Sequence, residues 1–138
     1  MSAGIRDLKV WQESAALAAD VVRGLRAANR REIKGVIDDA MRCATAVALR
    51  IADGYARYEP AEQHRMYTAA RRELARLETH LGIARQAELL PAPAYQQICT
   101  RMQQVHRLLG GYLVYLDRQI ATTRPRRDAA AEPAAPVT

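Results

Sequence analysis

Apolar residues return along this chain at intervals that alternate between three and four. Leu8, Trp11, Ala15, Ala18, Val22 and Leu25 form one such line. Ile33, Ile37, Ala40, Ala44, Val47, Ile51, Gly54 and Tyr58 form a second. Tyr67, Ala70, Leu74, Leu77, Leu81 and Ala84 form a third, and Tyr95, Ile98, Met102, Val105, Leu109, Tyr112 and Leu116 a fourth. Such a repeat keeps one stripe of a helix turned towards its neighbours, as along the seams of a bundle.

The breaks between the lines carry punctuation residues. Asn29 can end the first helix, with Arg30 to Glu32 as a charged connection. Glu59-Pro60 separates the second and third, because the residue before proline leaves the α region and proline suits a first turn. Pro91-Ala92-Pro93 separates the third and fourth. Helices two and three then run 25–30 residues each, roughly 40 Å. Connections this short predict an all-α fold, an antiparallel up-down-up-down four-helix bundle over residues 1–122. Residues 123–138 have three prolines and no periodicity. They read as a disordered basic, Pro/Ala-rich tail.

Gly54 interrupts this pattern, since glycine costs a helix roughly 1 kcal/mol relative to alanine. At a helix C-terminus it would stop helix two early and strand Tyr58. On the seam it would admit a neighbouring backbone or large side chain. The periodicity favours the seam. Gly110-Gly111 invites the same reading, or a kink.

Composition fits helices. Phenylalanine is absent and one tryptophan is present among the 138 residues, so the apolar bulk is small and aliphatic. Cys43 and Cys99 are widely separated, with no CxxC, and read as reduced core residues. No apolar leader or run of ~20 apolar residues occurs. The expectation is a cytoplasmic protein without a membrane segment. The net charge is +6, and nineteen of the 21 cations are arginine, with the excess gathered towards the C-terminus. Such a balance permits nucleic acid, an anionic surface or an acidic protein as partner.

Catalytic patterns are missing. His64, His80 and His106 lack metal-ligand spacing, and no glutamate is followed three residues on by histidine. No phosphate-binding glycine loop or nucleophile elbow is present. Asp38, Asp39 and Asp53 read as ion-pair partners of nearby arginines. The expectation is a non-enzymatic protein without cofactor or metal.

Three stretches, DLKVWQESAALAADVV, IDDAMRCATAVALRIADGYAR and YTAARRELARLETHLGIA, stand in this order along the chain. Together they resemble a bacterial four-helix bundle family. It includes proteins encoded in intervening sequences of 23S rRNA genes and the accessory variability determinant of diversity-generating retroelements. Asp7, Leu8, Val10, Trp11 and Gln12 match its opening wording. Ile51, Ala52, Gly54, Tyr55 and Arg57 match its central wording, with Asp53 in place of glutamate. Ala70, Arg71, Leu77, Glu78, Thr79 and Leu81 match the third stretch. Arg50 stands where the family has asparagine, and Arg72, Glu73 and Arg76 replace its glycine, serine and first glutamate. The resemblance implies a homo-oligomeric ring, typically five-membered, without known catalysis. For some members it implies binding of structured RNA and a reverse transcriptase.

Two sets of residues are candidates for those partners. Arg42, Arg50 and Arg57 recur on helix two, and Arg65, Arg72 and Arg76 on helix three, as rows able to contact the phosphates of RNA or DNA. Met41, Ala48 and Tyr55, with Leu108 and Tyr115, form apolar lines off the main seams and are candidate oligomer contacts. The sequence leaves two functions open. One is an oligomeric nucleic-acid-binding accessory or scaffold, and the other a purely protein-binding structural homo-oligomer.

Overall fold

A computed structural model describes residues 4–26 and 31–131. A 3-10 turn at Ile5–Asp7 leads into α1 (Lys9–Arg26), and a second at Arg31–Ile33 leads into α2 (Lys34–Tyr55). α3 is Pro60–Gln86 and α4 is Ala92–Ala131. No strand occurs among the described residues. The four helices pack α1–α2, α2–α3, α3–α4 and α4–α1, with α2–α3 the most extensive pair. This is the four-helix bundle that the periodicity predicts.

The α1–α4 contacts fix their relative direction. A Cβ on Gly24 would lie 2.9 Å from Leu90 Cδ1 and 3.2 Å from Ile98 Cδ1. Farther along, Arg101 reaches back to Asp20 and Glu13. Earlier residues of α1 therefore meet later residues of α4, and the pair is antiparallel.

The helix ends follow local chemistry. Pro60 occupies the first turn of α3, and the Glu59 carbonyl accepts from the N–H groups of Glu62 and Gln63. The Gln63 side chain donates to the Arg57 carbonyl at 2.8 Å and ties the α2–α3 connection. α3 closes with Glu88 in the left-handed region at φ 62°. There the Leu89 N–H donates to the Ala84 carbonyl, and the backbone reverses tightly ahead of Pro91. The expected helix end at Asn29 and residues 132–138 of the expected tail lie outside the described residues. Backbone helix continues past Thr122 to Ala131.

The predicted seams hold for α3, for α4, and for α2 from Ile37 to Gly54. Every residue of the α3 line is buried, as are Ile98, Met102, Val105, Leu109 and Leu116 of α4. In α1 the predicted line is rotated. The buried face is Val10, Ser14, Leu17, Val21 and Leu25, while Val22 is exposed. Asp20 lies on this buried face as well, its side chain 3% exposed and held by Arg101 at 3.0 Å and by Arg23. A buried carboxylate with two cations is tolerated where an unpaired one is not.

α2 also ends sooner than expected. It has 22 residues and stops at Tyr55, so Tyr58 is 97% exposed and contributes nothing to the seam. Gly54 combines both sequence readings. It sits in the last turn, yet it is buried, and a Cβ there would lie 2.9 Å from Tyr67 Cε1 and 3.2 Å from Met66 Cβ. Gly110 and Gly111 face open space instead and mark no close approach.

Gly54→Leu should therefore destabilise the bundle by about 1–3 kcal/mol through overpacking, although leucine is the better helix former. Gly111→Ala should be neutral or stabilising by up to about 1 kcal/mol. Thermal denaturation of both variants checks the pair. A Gly54→Leu protein that melts higher than the parent would remove the tight contact from the account.

Candidate nucleic-acid interface

α2 and α3 are joined by a short turn and packed along their length, so side chains at the outer edge of their seam face one another. Arg50 from α2 and Met66, Ala69, Arg72, Glu73, Ala75 and Arg76 from α3 line an open groove of about 350 Å³ there. Met66, Ala69, Glu73 and Arg76 recur at three- or four-residue steps and so share one side of α3. Arg72 and Arg76 are one turn apart, about 6 Å along the axis. Of the five positions at which the chain departs from the wording it resembles, Arg50, Arg72, Glu73 and Arg76 line this groove and Asp53 does not.

Charge in the groove is only partly neutralised. Arg50 lies 3.7 Å from Asp53, with both side chains about half exposed. A pair this open contributes little. Arg72 and Arg76 have no ion pair among the described residues, and neither does Glu73. The buried Cys43 thiol of α2 lies close to Glu73 and Arg76. Burial first, and then the negative charge of Glu73, push the Cys43 thiol up from its ordinary value.

The other candidate arginines stand elsewhere. Arg42 pairs with Asp39 at 2.7 Å, while Asp38 pairs with Lys34 at 2.8 Å rather than with an arginine. Arg57 lies beyond the end of α2, 3.9 Å from Glu62. Arg65 is exposed on α3 next to Met66, is not among the groove's lining residues, and has no ion pair among the described residues. The structure thus gathers Arg50, Arg72 and Arg76 and leaves Arg42, Arg57 and Arg65 outside. Spacing along single helices does not reveal Glu73 as a groove residue, because its place depends on α2. Arg71, also outside the predicted rows, is exposed beside Arg72. Its signals in the sequence are the doubled arginine and its match to the third stretch of the family wording.

The apolar candidates divide as well. Met41 and Leu108 are half-buried and pack on the protein's own core. Ala48 is half-buried and Tyr55 is at the margin of exposure. Tyr115 is 53% exposed and meets Tyr112 edge-on at 5.9 Å between ring centroids. Leu49, Ile83 and Val114 are exposed too, and lie off every predicted line.

Among the described residues no group of three or more His, Cys, Asp or Glu could hold a metal ion. No helix among them is long and apolar enough to cross a membrane. His64 and His106 instead link α3 to α4, 2.9 Å from Asp117 and 2.8 Å from Glu78.

Fold and groove together define a small antiparallel helical bundle with an arginine-lined edge. The family model described as 23S rRNA-intervening sequence protein matches residues 6–111, and the chain belongs to that family. No curated protein matches it.

The environment of Cys43 makes its own prediction. At pH 8 the native thiol should alkylate with iodoacetamide at least about tenfold more slowly than free cysteine, since the thiolate is the nucleophile. Mass spectrometry of the Cys43 peptide over time measures this, and alkylation at the free-cysteine rate would contradict the burial described.

Proposed function

We propose that the bundle is a non-enzymatic nucleic-acid-binding accessory protein, acting first on RNA, whose phosphate contacts are made by Arg50, Arg72 and Arg76. The observation that carries this reading is the juxtaposition of three guanidinium groups around one open groove, two of them without an ion pair among the described residues. Guanidinium groups bind phosphate oxygens through paired N–H donors, and their affinity falls with salt as counterions are released. The family's description adds support through its link to rRNA. As an accessory, such a protein holds structured RNA against an enzyme that acts on it, a reverse transcriptase being one such enzyme.

Arg72→Glu with Arg76→Glu should weaken binding to all RNA sequences. It should also reduce the slope of log affinity against log salt by about 0.7–0.9 for each phosphate no longer neutralised. Filter-binding titrations at two salt concentrations check this. Unchanged binding in the double variant clears α3 of the role, and no binding by the parent at ~150 mM salt favours a purely protein-binding scaffold.

The exposed apolar side chain of Tyr115 supports homo-oligomerisation through α4, in a ring that repeats the groove around its axis. Light scattering at micromolar concentration should give a multiple of the chain mass, five subunits for a pentamer. Tyr115→Glu should shift it towards monomer. A monomeric parent would end this part of the proposal.

A further inference from the structure

The groove holds one group that phosphate binding does not use. Glu73 lies among three arginines, where a carboxylate repels a phosphodiester, and no cation stands within ion-pair distance of it among the described residues. It is half-buried, and α2 carries the Cys43 thiol against it. Besides the three arginines, the groove is lined by the apolar side chains of Met66, Ala69 and Ala75. An acceptor-only group beside apolar side chains fits an unpaired base better than backbone.

We infer that Glu73 reads an unpaired guanine in this groove, while Arg50, Arg72 and Arg76 hold the flanking phosphates. This deepens the RNA-binding proposal and rests on it. An ionised carboxylate has two acceptor oxygens and no donor. Guanine alone presents two adjacent donors, N1–H and the N2 amino group, on its pairing edge. Adenine and cytosine each place a ring acceptor beside a single amino donor, and uracil flanks its one N–H with two carbonyls. Unpaired bases in RNA are read on this edge. The ring packs on the side chains of Met66 and Ala69, and the groove volume of about 350 Å³ falls at the small end of ligand sites.

The same chemistry would serve a free guanine nucleotide, so the test separates the two sources. Fluorescence anisotropy of the full chain is measured with an oligouridylate of about twelve nucleotides. The same oligomer with interspersed guanosines, its inosine counterpart and guanosine monophosphate as competitor complete the set. The guanosine oligomer should bind about tenfold tighter than oligouridylate, of the order seen for a two-bond base contact. Inosine, which lacks the N2 amino group, should lose most of that preference. Glu73→Gln should bring guanosine and uridine oligomers within about threefold, and should leave oligouridylate binding unchanged or stronger because a negative charge is gone. Competition by the mononucleotide at micromolar concentration, with no oligomer preference, would assign the guanine site to a free nucleotide and remove RNA as its source.

Equal binding of guanosine, inosine and uridine oligomers overturns the inference and leaves phosphate binding standing. So does a guanosine preference that survives Glu73→Gln. Failure of the parent to bind any oligomer or the mononucleotide overturns both. The inosine arm alters only the ligand, so the inference stays testable even where a Glu73 variant folds poorly.

Discussion

The close approach of α2 and α3 at Gly54 is the constraint on which the arginine-lined edge of the bundle depends. With no side chain on Gly54, the Tyr67 ring lies against the end of α2 and becomes fully buried. Tyr67 in turn packs on Tyr112 of α4 at 4.9 Å between ring centroids. One missing Cβ therefore permits a contact that runs from α2 through α3 to α4. Arg50 lies one turn before Gly54 and Met66 beside Tyr67, so the contact adjoins the arginine groove. Burial, and then neighbouring Tyr112, push the Tyr67 hydroxyl well above its ordinary value. It stays a neutral phenol wedged in the core.

The two sides of the bundle treat charge differently. On the α1–α4 side, Arg101 lies between Glu13 at 3.2 Å and Asp20 at 3.0 Å. With Arg23 also paired to Asp20, two cations balance two acids there, and Arg101 ties the two helices together. Along α2–α3, cations outnumber acids in the groove and two of them lack an ion pair among the described residues. The net charge of +6 thus includes a local excess that tertiary structure, not sequence order, assembles.

How much of this can be read from the chain varies by helix. α3 is entirely legible because its stripe combines tyrosine and leucine at regular steps with charged residues between. α1 is ambiguous because Ala15, Ala16, Ala18 and Ala19 are apolar on every side and mark no face. Its true face includes Ser14 and Asp20, and the burial of Asp20 depends on a partner 81 residues away. No local pattern encodes that. Tyr58 fits the α2 period but falls after the helix ends, where the Arg57 N–H has already turned to the Gly54 carbonyl. The close approach at Gly24 has no local signal for a similar reason, since it is created by Leu90 and Ile98. The arginines of the groove are visible singly. Their grouping is not, because it needs the α2–α3 register.

The cations around the groove are all arginine, and the chain's two lysines, Lys9 and Lys34, lie elsewhere. Guanidinium stays protonated throughout the range of pH found in cells, and it is not a substrate for acetylation. The edge therefore has no titratable or lysine-modifiable cation by which its charge could be turned down. Ionic strength still screens that charge. A surface built this way keeps its positive charge through the cellular pH range and through lysine acetylation.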